Sequence, residues 1–184
     1  MNKQIELSKI AGEIRKCKVC RIGKSGKAVV GEGSPNAKVV FIGEAPGKKE
    51  AEIGRPFIGR SGQLLRSLIR EVGLKEQDVY ITSPVKYLPD RGTPTPEDII
   101  HGETHLDKQL EIISPKFIVL LGSVAIQALL NRKLPVLKNH GKIIIDGQRK
   151  YFITLHPAAA IRFAKNKPLL AADFQKLKKL LKIP

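Results

Sequence analysis

The 184-residue chain has only two cysteines, one methionine and no tryptophan. Two cysteines exclude the disulfide-rich scaffold of small secreted proteins. No apolar run approaches the roughly 20 residues that a membrane-spanning helix needs. The N-terminal segment 1–6 is too polar for a secretory signal peptide. We therefore expect a soluble, intracellular (cytoplasmic) protein that forms one domain over residues 1–184.

Acidic residues are also scarce. The chain has 33 Lys and Arg against 17 Asp and Glu, a formal net charge of +16 and a pI near 10.0. Such an excess of positive charge favours a polyanionic partner, and nucleic acid is the first choice. The alternative is a lysine-rich surface that only interacts with water. The sequence has no long, purely basic stretch, so we do not expect a disordered basic tail.

Short apolar runs alternate with helical patterns along the chain. The strand-like runs are Val39–Ile42, Val79–Thr82, Phe117–Leu121, Ile143–Ile145 and Tyr151–Thr154. Helices are predicted over 6–16, 61–72, 96–113, 123–130 and 169–181. Thr95 is the expected N-cap of the third, with Pro96 in its first turn. This order predicts an α/β three-layer sandwich around a central, mainly parallel four-stranded sheet.

Three unusual turns follow predicted strands. The first begins at Gly43–Gly47 (GEAPG) and continues through Gly54–Phe57 (GRPF) to the start of a helix. The second runs from Ser83 to Thr95, and the third is His156–Arg162 (HPAAAIR). Sites in parallel α/β sheets gather at the carboxyl ends of the strands. The turns therefore predict a single site that draws on all three.

These motifs, in this order, resemble the uracil-DNA glycosylase superfamily, specifically its family 4 type, which carries an iron–sulfur cluster. The resemblance runs from about Leu7 to Leu181. It implies a base-excision-repair enzyme that flips a deaminated base, uracil first, out of DNA. The enzyme would then hydrolyse the N-glycosidic bond and leave an abasic site, and this cleavage requires no cofactor. DNA containing uracil, single- or double-stranded, is the implied partner of a monomer, and a sliding-clamp partner is left open.

The resemblance also implies roles for individual residues. Stabilisation of the departing base and of the sugar would come from His156 and from the carboxylates Glu44 and Glu50. The base would lie against Phe57 in a pocket lined by Glu44, Ala45, Pro46, Ser83 and His156. DNA contacts would come from Arg60, Ser61, Gly62, Lys86, Ile161 and Arg162. Residues 158–162 would form a loop that enters the DNA, with Ile161 or Arg162 as its wedge.

One departure from the family concerns base recognition. Ser83 stands where family members place an asparagine whose amide pairs with the edge of uracil. A single hydroxyl offers less than a donor–acceptor pair, so discrimination between bases would relax. Two alternatives follow from this change. The chain could be a glycosylase for another deaminated base such as hypoxanthine, or a catalytically degenerate member that only binds DNA.

The other departure concerns metal. Cys17 and Cys20 match the first cysteine pair of the family cluster, but Tyr87 and Gly102 occupy the positions of the second pair. A standard four-cysteine site for a 4Fe–4S cluster is therefore absent. His101 and His105 flank position 102 and share one helix face. Either these histidines complete a tetrahedral zinc set with the two cysteines, or the cluster is lost and two free thiols remain.

Overall fold

The computed structural model describes residues 2–183. Its strands are β1 (Lys24–Ser25), β2 (Glu32–Gly33), β3 (Val39–Ile42), β4 (Tyr80–Thr82), β5 (Leu88–Pro89), β6 (Phe117–Leu121), β7 (Ile143–Asp146) and β8 (Arg149–Thr154). Its helices are α1 (Lys3–Lys16), α2 (Lys48–Ile53), α3 (Arg60–Glu71), α4 (Pro96–Ile113), α5 (Ser123–Leu130), α6 (Val136–Asn139), α7 (Pro157–Arg162) and α8 (Lys167–Leu181).

The main sheet has six strands in the order β2-β4-β3-β6-β8-β7. The four central strands β4, β3, β6 and β8 are parallel, whereas β2 and β7 pair antiparallel at the two edges. The predicted mainly parallel sheet is confirmed, with its four parallel strands at the centre. The sheet has six strands instead of the predicted four. At its edges, β7 matches the predicted run Ile143–Ile145, whereas β2 has only two residues and gave no signal in the sequence. A separate ladder joins β1 to β5.

Helices cover both faces of the sheet. Successive residues of a strand point to opposite faces, so alternate residues pack against different helices. Val39 and Phe41 of β3 pack with α3 and α8, whereas Val40 and Ile42 pack with α1, α4 and α5. All four residues are buried. Burial on both sides explains why β3 is a continuous apolar run. The result is the predicted sandwich of three layers.

Local signals fix the main helices. Helix α4 begins where predicted: the Thr95 hydroxyl accepts a hydrogen bond from the Asp98 N–H (3.2 Å), and the Asp98 carboxylate accepts one from the Thr95 N–H (2.9 Å). This capping box satisfies two amide donors at the helix start. Helix α5 also has its predicted bounds. Helix α1 begins three residues early, at Lys3, because the Asn2 side chain caps it.

Three short helices, α2, α6 and α7, were not predicted. Helix α2 is short and mostly polar, so no apolar periodicity marks it. The predicted DNA-entering loop at 158–162 is wrong as a loop, because Pro157–Arg162 form helix α7. Pro157 occupies the first turn of this helix and His156 caps it. Within residues 2–183, no helix combines the length and the apolar character that crossing a membrane requires.

Candidate functional site

The three predicted turns meet at the carboxyl ends of β3, β4 and β8. They enclose a cavity of about 330 Å³, which we call the strand-end pocket. All of the predicted catalytic and base-binding residues line it: Glu44, Ala45, Pro46, Glu50, Phe57, Ser83 and His156. Because the parallel strands end at the same edge of the sheet, residues distant in sequence converge there.

Phe57 has an unusual backbone in this pocket. Its φ angle is 52°, in the left-handed region that a bulky residue rarely adopts. Its ring lies against residue 43, where a Cβ atom would come within 2.4 Å of the ring. A Cβ at Gly62 would come within 1.9 Å of the Phe57 carbonyl carbon. Glycines on both sides therefore let the strained Phe57 present its ring to the pocket.

Arg66 of α3 holds this strained turn in place. Its Nε donates to the Phe57 carbonyl and its Nη2 to the Pro56 carbonyl, both at 2.9 Å. The same guanidinium bonds to Glu76 at 2.6 Å and also to Glu32. Sequence reasoning missed Arg66. A usable signal existed, because an arginine three residues before Ile69 lies on the buried face of the helix.

Glu50 is buried and supports the following loop. Its Oε1 accepts hydrogen bonds from the backbone N–H groups of Ile58 (2.8 Å) and Gly59 (2.7 Å). These amides immediately precede α3, so the carboxylate also lies at the positive end of that helix. The structure thus adds a positioning role for Glu50. Its direct catalytic role stays a prediction.

His156 presents a neutral hydrogen-bond donor to the pocket. Burial lowers the pKa of His156 to about 4, an effect that the nearby Glu50 carboxylate partly opposes. Its Nδ1 accepts a hydrogen bond from the Ala158 N–H at 3.1 Å. The ring proton is therefore assigned to Nε2. This Nε2 faces Gly43, and the imidazole centroid lies 5.7 Å from the Phe57 ring centroid.

Glu44 is the half-buried acid of the pocket. Its burial raises the pKa of the Glu44 carboxyl above the usual range, because removal from water disfavours the charged form. Ala45 and Pro46 continue the turn along the pocket wall. A carboxylate with a raised pKa binds a proton more readily than an exposed one does. Glu44 is therefore suited to hold and deprotonate a water molecule.

Ser83 lines the pocket, but its hydroxyl proton points elsewhere. Its Oγ donates a hydrogen bond to the Val85 carbonyl at 2.8 Å, and the side chain is buried. The oxygen can still accept a hydrogen bond, whereas its donor is already engaged. Ser83 therefore cannot replace both halves of an amide at this position.

Two of the predicted DNA contacts are wrong. The Lys86 side chain is only 1% exposed, and its Nζ donates to Thr82 Oγ1 and Gln109 Oε1, both at 2.8 Å. Burial lowers the pKa of Lys86 to about 7. Lys86 therefore cannot reach a phosphate. Gly62 is buried beneath the Phe57 backbone, so its side of α3 packs inward.

The remaining predicted contacts border a second cavity of about 780 Å³, the basic groove. It adjoins the strand-end pocket and is lined by Lys48, Lys49, Glu50, Gly59, Arg60, Ser61, Ala158, Ile161 and Arg162. Among the described residues, the four basic side chains of this groove form no salt bridge. Ile161 is exposed on α7 at its rim. The groove thus offers free positive charge beside the pocket.

A separate group, the Cys–His cluster, consists of Cys17, Cys20, His101 and His105. One donor atom from each lies within 4.8 Å of the others. The Cys17 Sγ is 3.2 Å from His101 Nε2. The Cys20 N–H donates to Cys17 Sγ at 3.5 Å, so the two cysteines form a compact turn after α1. Both predicted pairs are therefore brought together.

Comparison with known proteins agrees with this geometry. The family model of the uracil DNA glycosylase superfamily matches residues 30–180. The type-4 uracil-DNA glycosylase of Thermotoga maritima is 38% identical over 96% of this chain and 96% of its own length. The type-4 enzyme of Saccharolobus solfataricus is 38% identical over 95% of this chain and 86% of its own. The chain belongs to the uracil DNA glycosylase superfamily and matches type-4 members over nearly its whole length.

Proposed function

We propose that the chain is a DNA-repair glycosylase that removes uracil from DNA and leaves an abasic site. The observation that carries this proposal is the neutral His156 donor opposite Phe57 in the strand-end pocket of a chain from this superfamily. The names of the relatives, uracil-DNA glycosylases at 35–38% identity, favour uracil over other bases.

The substrate base enters the pocket by leaving the DNA stack. The Phe57 ring provides an apolar face, and base–aromatic stacking recovers part of the few kcal/mol that unstacking costs. The free cations Lys48, Lys49, Arg60 and Arg162 bind the flanking phosphates. Ile161 at the end of α7 fills the space that the base leaves. Because these contacts involve no base edges, the enzyme binds DNA without sequence preference.

Cleavage breaks the bond between the sugar C1′ and the base nitrogen N1. Both bonding electrons leave with uracil, so negative charge grows on the base and positive charge grows on the sugar. The His156 Nε2–H donates to a uracil carbonyl oxygen and stabilises that anion. A neutral imidazole suits this role because it needs no proton from solution at pH 7.

Water completes the reaction at the sugar. We assign Glu44 to hold the water and accept its proton as the C1′–O bond forms. Glu44 then releases this proton to solvent, and the uracil anion takes a proton from solvent. Glu50 keeps the loop before α3 in place and adds negative charge near the sugar cation. The products are free uracil and an abasic site, and no metal or redox group takes part.

The direct test is base release by the purified full-length chain, which we propose acts as a monomer. Single- and double-stranded oligonucleotides carrying one uracil or one hypoxanthine are incubated with enzyme and then cleaved with alkali. We expect cleavage at uracil in both forms. Release of hypoxanthine alone would reassign the substrate. Salt-sensitive DNA binding without release of either base would mean that the chain is only a binding protein.

A further inference from the structure

The family cofactor does not fit the residues of this chain. A four-iron cluster takes four cysteine thiolates, and the sequence has two. Tyr87, at the position of a third ligand, is fully buried, and its hydroxyl accepts from Arg21 Nε at 3.2 Å. At Gly102, even a Cβ atom would lie 2.3 Å from the Pro84 carbonyl oxygen. The protein has thus filled or closed both positions.

The donors that remain converge at a different point. Cys17 and Cys20 come from the turn after α1, and His101 and His105 come from one face of α4. In a tetrahedral zinc site with sulfur and nitrogen ligands, neighbouring donors are roughly 3.3–3.8 Å apart, as the bond lengths dictate. The observed limit of 4.8 Å is therefore within a small side-chain adjustment of that geometry.

The pairing of donors distinguishes one ion from a cluster. In a two-iron cluster with two histidines, both imidazoles bind one iron and both thiolates bind the other. Bridging sulfides then separate the two kinds of ligand. Here a cysteine and a histidine are directly adjacent, with Cys17 Sγ 3.2 Å from His101 Nε2. That distance is within about 0.1 Å of the range for one edge of a single coordination tetrahedron.

His105 provides an independent sign of a missing ligand. Its side chain is only 8% exposed, and neither Nδ1 nor Nε2 has a hydrogen-bond partner among the described residues. A buried polar atom without a partner costs about 1–3 kcal/mol, so such an atom indicates that a water molecule or an ion binds there. The imidazole lies beside three other metal-binding side chains.

We propose that Cys17, Cys20, His101 and His105 bind one structural Zn²⁺ ion. Two thiolates neutralise the ion, and two neutral imidazoles complete four-coordination, so the buried site carries no net charge. With all four positions taken by protein, the ion has no open position for catalysis. It instead fastens the end of α1 to α4 across more than 80 residues of sequence, as the separation of 84 between Cys17 and His101 shows.

The test is metal analysis of the full-length chain without a histidine tag, purified in oxygen-free buffer. We expect about one zinc per chain in the wild type and less than about a tenth of that in Cys17→Ser and His105→Ala. His140→Ala is the matched control, because His140 contacts Asp173 far from the cluster residues in sequence and should retain zinc. Chelator should lower the melting temperature of the wild type and of His140→Ala.

A second variant covers the case in which a ligand variant does not fold. His101 is partly exposed, and His101→Cys would supply a third thiolate at the same position. It should therefore keep about one zinc, since three cysteines and one histidine also form a structural zinc site. Iron with acid-labile sulfide in the wild type would overturn the proposal. So would zinc-free protein that binds no added ZnSO₄ and melts at the same temperature with chelator.

Discussion

In the strand-end pocket, backbone amides form hydrogen bonds with polar side chains of the pocket and fix their orientation. His156 Nδ1 is bonded to the Ala158 amide, and Glu50 is bonded to two amides. In the Cys–His cluster, by contrast, both nitrogens of His105 lack any partner in the described chain. The pocket is therefore organised by the fold alone, whereas in our proposal a bound ion completes the cluster. We infer that the chain keeps its reactive geometry and has changed the metal that supports its N-terminal segment.

The largest expected effect separates the two regions by activity. His156→Ala removes the hydrogen-bond donor to the departing base, so uracil release should fall by about 10²–10³-fold. Its zinc content should match that of the wild type. Single-turnover assays with a uracil-containing oligonucleotide measure the rate of uracil release, and metal analysis measures the zinc content. His140→Ala, the control for loss of a histidine, should lose neither.

The next effect tests the backbone frame of the pocket. Arg66→Ala leaves the Pro56 and Phe57 carbonyls without their donor and removes one of the two arginine partners of the partly buried Glu32. We expect the free energy of unfolding in urea to drop by about 2–3 kcal/mol. Arg70→Ala is the matched control, because Arg70 also pairs with Glu76 but is mostly exposed. Its cost should stay below about 1 kcal/mol. An equal loss of unfolding free energy in the two variants would show that Arg66 does not hold this turn in place.

A pH effect should come from the same histidine. The pKa of His156 is about 4 in the folded chain, below its ordinary value of 6.5. The unfolded chain therefore takes up this proton first as the pH falls. Stability that is present above pH 6.5 should decrease between pH 6.5 and 4, by on the order of 2 kcal/mol. Urea unfolding across this range should show a shallower slope for His156→Ala. Identical slopes would exclude the buried neutral imidazole.

A smaller effect tests the basic groove. Arg162→Ala removes a cation that has no acidic partner among residues 2–183, so DNA affinity should fall a few-fold and the slope of log K against log salt should decrease by about one. Arg55→Ala is the control, since Arg55 is also exposed to solvent but is paired with Glu32 at 2.8 Å. Its slope should change less. Fluorescence anisotropy with a labelled oligonucleotide measures both variants.

The smallest effect concerns base recognition. Ser83 uses its hydroxyl proton on the Val85 carbonyl, so it gives the base at most an acceptor. Ser83→Asn should restore a donor–acceptor pair and raise uracil release several-fold. Rates on uracil and hypoxanthine oligonucleotides would be compared in parallel. An unchanged uracil rate in a folded variant would count against this position as the base-reading residue.

Much of the fold was readable because its signals are local. The run Val39–Ile42 is apolar throughout since both faces of β3 are covered, and the Thr95–Asp98 box marks the start of α4. Helices α2, α6 and α7 were missed because each has six residues or fewer and no apolar stripe. Short elements of this kind depend on tertiary contacts that a pattern of residue types does not record.

The sequence predicted which residues form the site, but it did not predict their geometry. The motifs predicted that Glu44, Phe57 and His156 lie together, as they do. They did not reveal the positive φ of Phe57, which depends on contacts with Gly43 and Gly62. Lys86 was wrongly predicted to contact DNA because a lysine in a turn is usually exposed, whereas this one is surrounded by protein. Burial of a charged group is a property of the packed chain alone.

One set of measurements tests the separation of pocket and cluster most directly. Zinc content and single-turnover uracil release are determined on the same preparations of wild type, His156→Ala and His105→Ala, below the melting temperature of each. We predict that His156→Ala keeps zinc and loses uracil release. We also predict that His105→Ala loses zinc and keeps most of its release. Uracil release by His156→Ala at the wild-type rate would contradict the account.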